Sequence, residues 1–390
     1  MHTYFLASAC ASLAIALGSV SLPAWSDVPL RVVDPTVLQS NDFAALGLDE
    51  QLWGVGGDRS SLVQAIDYSL RYLDTPTAVA AYRQYSVQGI TRDRVRRSLI
   101  RFRELLQTTE SAEALRAAVL NEFAVYQSVG NDGLGTVDFT GYFEPSYVAS
   151  RVPTAEFRYP LYRLPPSLSR WSSPHPSRVA LEGVDGLQGE RGRLRGLELV
   201  WLRDRLEAYL IQVQGSARLS LTDGSTMTVG YAGRTSRSYV SIGRQLVNDG
   251  KLPEAGLTLP AVLTYFQQHP NELNEYLPRN HSFIFFRDTG GAPATGSLSV
   301  PVTAERSIAT DKTLMPPGAL ALIHTHIPFP NPQGQLESQE VSRFVLDQDR
   351  GGAIQGAGRV DIFVGTGPLA GDRAGLLNNT GQLYYLLLNE

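Results

Sequence analysis

The strongest constraint on the fold lies near the C-terminus, between Ser307 and Gly367, where short apolar runs alternate with glycine-rich turns and three aspartates, Asp311, Asp349 and Asp361. Asp311 and Asp349 stand beside turn formers, Pro316-Pro317-Gly318 and Gly351-Gly352, whereas Asp361 lies inside an apolar run. In Arg359-Val360-Asp361-Ile362-Phe363-Val364-Gly365 successive strand side chains point to opposite faces. Val360, Ile362 and Val364 therefore share a core face, and Asp361 shares the other with Phe363. A carboxylate held on a rigid strand among apolar groups is suited to acid chemistry, or to bonding loop amides as a structural residue.

Around this stretch the texture is β-rich. From Val137 onward, Gly196–Leu202, Ala208–Gln214, Ala217–Leu221 and Thr226–Tyr231 read as strands, with Asp223-Gly224 as a hairpin turn. Helices are expected over Ser241–Asn248 and from Pro260. After Pro278 come Phe283–Arg287, Val300–Thr303, Ala319–Ile327, Arg343–Leu346, Val360–Val364 and Leu383–Leu388, enough short strands for a closed barrel.

Residues 58–128 instead carry helical periodicity. Leu62, Ile66, Leu70 and Leu73 form one apolar stripe after Asp58 or Ser60, and Val95, Leu99, Phe102 and Leu106 a second after Thr91. Leu115, Val119, Phe123 and Tyr126 form a third after Ser111. Six arginines between Arg92 and Arg103 are a solvated helix face, or a site for carboxylates on the peptide branches of a polymer.

The apolar segment 3–22 precedes Ala24 and Ser26, small residues placed for cleavage before Asp27, so 1–26 reads as a secretory signal peptide. Its start lacks Lys and Arg, and its length also suits a retained anchor. The single cysteine, Cys10, lies inside it, so the mature chain has neither disulfide nor thiol nucleophile. The net charge of −4 gives no case for nucleic-acid binding.

Further motifs precede the aspartates in order: Thr140-Gly141-Tyr142-Phe143-Glu144-Pro145, Gln212-Val213-Gln214-Gly215-Ser216, Val229-Gly230-Tyr231-Ala232-Gly233 and Ser241-Ile242-Gly243. Together with the Ser307–Gly367 stretch they resemble the membrane-bound lytic murein transglycosylase A family with its C-terminal 3D domain, over nearly all of the chain after Leu134. The resemblance implies a mainly β chain with N-terminal helices (α+β): a double-psi β-barrel beside a second, inserted β-barrel-like domain, with a groove between them. The implied domains are 27–145 with 278–390 as one discontinuous catalytic unit, and 146–277 as the inserted one. Many members are lipoproteins; Cys10 is not placed for lipidation, a departure that leaves an exported, periplasmic protein at the outer membrane as the expectation.

The resemblance also implies a peptidoglycan lyase that cleaves the β-1,4 bond between N-acetylmuramic acid and N-acetylglucosamine, leaving a 1,6-anhydro end. Its partner would be peptidoglycan glycan strands, met as a monomer and without a cofactor. The catalytic aspartate would be Asp361, doubling as acid and base. Burial against Phe363, or a nearby Asp349, would raise its pKa. Thr140, Tyr142, Glu144, Gln214, Gly215 and Ser216 are candidate sugar contacts, the last three ending a strand. Asp349 and Asp311 either serve the site or shape their turns. Phe143 stands where the family usually has tyrosine.

Other chemistries find little support. Gly351-Gly352-Ala353-Ile354-Gln355-Gly356 lacks the Gly-Lys-Ser/Thr of a phosphate loop and reads as a place where a sugar approaches backbone. His324 and His326 share a strand face, but no third ligand accompanies them, so no metal is expected. A true hydrolase would need Asp349 or Glu144 as a second carboxylate, and a non-catalytic wall-binding module would use Asp361 only to hold glycan.

Overall fold

The computed structural model describes residues 28–34, 46–54 and 56–390; the expected signal peptide, with Cys10, lies outside them. In chain order the strands are β1 Leu30–Val32, β2 Phe123–Ser128, β3 Val137–Glu144, β4 Ser146–Ser150, β5 Tyr159–Tyr162, β6 Glu198–Leu202 and β7 Ser216–Leu221. They continue as β8 Thr226–Arg234, β9 Ile284–Asp288, β10 Ser307–Ala309, β11 Leu320–Pro330, β12 Leu336–Asp349, β13 Arg359–Thr366 and β14 Asn378–Leu388.

Six strands close into a barrel in the order β14, β11, β12, β10, β13, β3 and back to β14, with β2 and β1 extending outward from β14. Parallel pairs β10–β12 and β13–β3 are set among antiparallel ones, the mixed ring of a double-psi barrel. Val360, Ile362 and Val364 are buried inside it, as their alternation requires, and Phe363 on the opposite face is buried as well. The second sheet runs β5, β6, β4, β7, β8, β9, and a single bridge between Arg163 and Phe286 draws its ends together. The mainly β architecture with a helical N-terminal part is therefore as expected.

Helices Arg59–Leu73, Arg92–Thr108 and Ala112–Glu122 carry the three stripes and pack on the barrel. Phe102 meets Phe344 of β12 with ring centroids 4.8 Å apart. Thr91 and Ser111 accept the N-cap bonds from Arg94 and Ala114. Asp58 does not cap its helix; its carboxylate is taken by Arg306.

The structure corrects several boundaries. Ala208–Gln214 is not a strand but the greater part of helix Arg205–Gln214. The Asp204 carboxylate caps that helix by accepting from Leu206 N at 2.6 Å, and Gly215 ends it in the left-handed region at φ 82°. The third stripe breaks at Glu122, and Phe123 and Tyr126 belong to β2, where β14 supplies the backbone partners. Val300–Thr303 makes only an isolated bridge, at Pro301. The strand expected at Phe283–Arg287 joins the second sheet, as β9 against β8, rather than the barrel.

Candidate active site

Barrel register sets the site. Ala309 of β10 pairs with Asp361 of β13 on one side and with Asp349 of β12 on the other. Asp361 in turn pairs with Thr140 of β3, which pairs with Asn378 of β14. One rung across five strands thus carries Asp349, Ala309, Asp361, Thr140 and Asn378. The next side chains on the same face, Tyr142 and Phe363, meet as tilted rings with centroids 5.2 Å apart. Gly141 between Thr140 and Tyr142 has no room for a side chain: a Cβ there would lie 2.9 Å from Ala374 Cα, in the helix packed behind the strand.

Asp361 accepts a hydrogen bond from Thr140 Oγ1 at 2.8 Å, and Arg359 donates to the same Thr140 oxygen at 3.1 Å. Burial pushes the Asp361 carboxyl up to about 6, against the Thr140 bond and the Arg359 charge, which favour the carboxylate; the Asp349 charge adds a smaller upward push. Such a group gives up a proton readily near neutral pH and takes it back.

Asp349 is differently occupied. Its carboxylate accepts from Tyr142 OH at 2.9 Å and from the backbone N–H groups of Ser297 and Arg350 at 2.7 and 2.8 Å. These three donors occupy most of the carboxylate's lone pairs and hold it to β3 and to two loops. Burial, reinforced by Asp349, drives the Tyr142 phenol well above its usual range, so it stays a donor.

The other expected residues fall around this rung unequally. Asp311 binds Thr313 N, Thr313 Oγ1 and Gly356 N, which fastens the glycine loop ahead of β13. Burial opposes its ionisation, and these bonds outweigh that, leaving its pKa below the ordinary value. Glu144 lies four residues along β3 from Thr140, on the order of 13 Å away at strand rise. It is buried and accepts from Thr366 Oγ1 at 2.9 Å. Gln214 Oε1 accepts from Phe143 N at 3.0 Å, tying the helix of the second sheet to β3. Gly215 and Ser216 follow at a helix end and the start of β7, not at a strand end.

Three residues that sequence reasoning missed face the site. Arg359, two positions before Asp361 and on its face, could have been found from the alternation itself. Arg234 ends β8 of the second sheet and Tyr239 follows in the loop after it: a Cβ on Gly352 would stand 2.8 Å from Arg234 Nη1 and 4.0 Å from Tyr239 Cβ, so the glycine loop is approached by protein side chains. Burial raises the Tyr239 phenol, and the charge of Asp361 reaches it. Nothing in the local sequence pairs either residue with a loop more than a hundred positions away.

The arginines of helix Arg92–Thr108 are spent within the protein. Arg96, Arg97, Arg101 and Arg103 pair with Asp74, Asp93, Glu104 and Glu122, and Asp67, while Arg92 and Arg94 bind backbone carbonyls. His324 lies 3.1 Å from Glu340, and among the described residues no group of three His, Cys, Asp or Glu is placed to hold a metal ion. No helix among them is long and apolar enough to cross a membrane.

Residues 138–287 match the model of the MltA specific insert domain, and residues 306–387 that of the 3D domain. The chain is 33% identical over 263 residues to membrane-bound lytic murein transglycosylase A of Escherichia coli K12, covering 67% of this chain and 68% of that one. It is 30% identical over 277 residues to the Vibrio cholerae protein of the same name, covering 70% and 72%. Among solved structures, a membrane-bound lytic murein transglycosylase from Agrobacterium tumefaciens superposes with a TM-score of 0.67 at 28% identity, covering 85% of this chain and 93% of that one. E. coli MltA with bound chitohexaose also gives 0.67, at 27% identity, covering 85% and 90%. The chain belongs to the membrane-bound lytic murein transglycosylase A family, a family of peptidoglycan-cleaving lyases.

Proposed function

We propose that Asp361 is the single acid and base of a lytic transglycosylase acting between N-acetylmuramic acid and N-acetylglucosamine. Its carboxyl proton passes to the glycosidic oxygen as the bond from the anomeric carbon breaks. The carboxylate so formed then takes the proton of the muramyl C6 hydroxyl, whose oxygen closes on the anomeric carbon. The products are a free N-acetylglucosamine hydroxyl and a 1,6-anhydro ring, with no water consumed.

One observation carries this reading: Asp361 combines a pKa raised to about 6 with an open coordination, having only Thr140 as a side-chain donor. Three donors already occupy Asp349, and Glu144 is too far along β3, so neither suits water activation, where carboxyl groups stand roughly 6.5–9.5 Å apart. The chitohexaose bound to the E. coli relative supports a glycan strand as the ligand, and we place it between barrel and second sheet, past Thr140, Tyr142 and Gln214. The relatives are called membrane-bound, and we place this chain as a monomer in the periplasm, against the outer membrane.

Clearing of a suspension of purified peptidoglycan tests the assignment. Wild type clears it, and Asp361→Asn with an unchanged circular dichroism spectrum does not; equal clearing by the two overturns the role of Asp361.

A further inference from the structure

The second sheet carries a cavity of about 300 Å³ that the proposed chemistry does not use. Its lining includes Arg163 and Phe286, whose isolated bridge joins the sheet's ends along a seam. Its apolar lining includes Leu199, Met227 and Phe286, and three arginines, Arg151, Arg163 and Arg287, border it against one carboxylate, Asp288. Asp288 already accepts from Gly290 N at 2.8 Å.

The arginines keep donors free. Arg287 pairs with Gly230 through its backbone, and its guanidinium has no hydrogen-bond or ion-pair partner among the described residues. Arg163 gives Nη1 to the Glu198 carbonyl, which leaves most of its five N–H groups available. Arg151 is half-exposed and holds Asp223 through Nε at 3.3 Å. Guanidinium groups over an apolar floor select an anion with an apolar body, and their planar fork matches a carboxylate.

Position supplies the rest. Ala232 at the cavity lies two residues before Arg234 on β8, on the order of 7 Å along the strand. Arg234 reaches the Gly352 loop beside the catalytic rung. A branch leaving a glycan strand at Asp361 therefore meets this seam after a short span, whereas the arginines of helix Arg92–Thr108 are already paired.

We infer that the seam cavity bordered by Arg151, Arg163 and Arg287 binds a carboxylate of the peptide branch carried by the murein strand. This inference rests on the peptidoglycan reading above for the source of the carboxylate.

Calorimetric titration of the whole protein with the murein tripeptide L-Ala–γ-D-Glu–diaminopimelate tests it, alongside the tripeptide with its carboxylates amidated and inorganic phosphate. The tripeptide binds wild type, binds Arg163→Gln/Arg287→Gln roughly tenfold more weakly, and loses its affinity when amidated. Absence of tripeptide binding, equal binding by the variant, or phosphate binding as tightly as the tripeptide each overturn the inference. A second readout is the ratio of kcat/KM on stem-bearing strands to that on strands stripped of peptide. It falls in the variant if the cavity acts during turnover, while an unchanged ratio overturns that role. Failure of wild type to cleave either strand would remove the enzymatic reading, and the titration would still decide whether the cavity takes the tripeptide.

Discussion

Asp349 and Asp361 stand on one rung of the barrel with Ala309 between them, yet they are solvated by the protein in opposite ways. Three donors bind the Asp349 carboxylate, whereas Asp361 has one side-chain donor and a surrounding that resists its charge. At two strand spacings, about 10 Å between Cα atoms, the pair interacts weakly, which fits burial as the main cause of the Asp361 shift.

The pH dependence of turnover follows. The first step needs protonated Asp361, so activity falls as pH rises through about 6. Thr140→Val removes the strongest influence favouring the carboxylate and moves this limb to higher pH; Arg359→Gln moves it the same way by less. Thr140→Ser, which keeps the hydroxyl, leaves it in place. A pH–rate profile of kcat/KM reads all four proteins, and a limb unmoved in Thr140→Val contradicts the hydrogen-bond assignment.

Stability has its own pH signature. In the unfolded chain Asp361 ionises near the ordinary aspartate value of 3.8, and in the fold near 6, so the native state binds the extra proton between these values. Unfolding free energy attributable to this group therefore drops as pH rises from about 4 to about 6 and stays low above. Asp361→Asn escapes that loss and gains about 1–3 kcal/mol over wild type at pH 7 relative to pH 4, the range allowing for partial exposure. Urea titrations at the two pH values check this; parallel curves contradict it.

Tyr142→Phe separates support from chemistry. The lost hydrogen bond to Asp349 costs about 1.5–3 kcal/mol of stability, since the acceptor is charged. Because Asp349 contributes little to the Asp361 shift, the pH–rate limb should stay where it is. A limb that moves as far as in Thr140→Val would mean that the two carboxylates are tightly coupled.

A buried ion cluster fastens the chain before the first long helix to the barrel. Arg306 is fully buried and binds Asp49, itself buried, together with the more exposed Asp58. Asp49→Ala leaves a buried guanidinium short of a counter-charge and costs about 3–5 kcal/mol. Asp58→Ala, at the wetter side, costs less. Thermal unfolding of both variants tests the order, and equal losses would contradict it.

Much of this was legible in the chain. The alternation Val360, Ile362, Val364 put Asp361 on a rigid strand, open to an acid or a structural role, and the family resemblance made it the candidate acid. The second and third helical stripes were plain because each followed a Thr or Ser cap, Thr91 and Ser111. Ala208–Gln214 misled because its tyrosine, isoleucine and valine favour strands, although Asp204 and Glu207 form a capping box and Gly215 marks the C-terminus. β10 is three residues long, and its pairing with both β12 and β13 is a tertiary fact with no local period. Closure of the ring by β3 and β14, and the reach of Arg234 and Tyr239 to Gly352, depend likewise on contacts distant in sequence.

The most direct test of the central claim is mass spectrometry of the soluble products released from purified peptidoglycan, with Asp361→Asn as control. The account predicts 1,6-anhydro muropeptides from wild type and none from the variant. Products with ordinary reducing ends, heavier by one water, would contradict it and require a water-activating carboxylate in place of the internal hydroxyl.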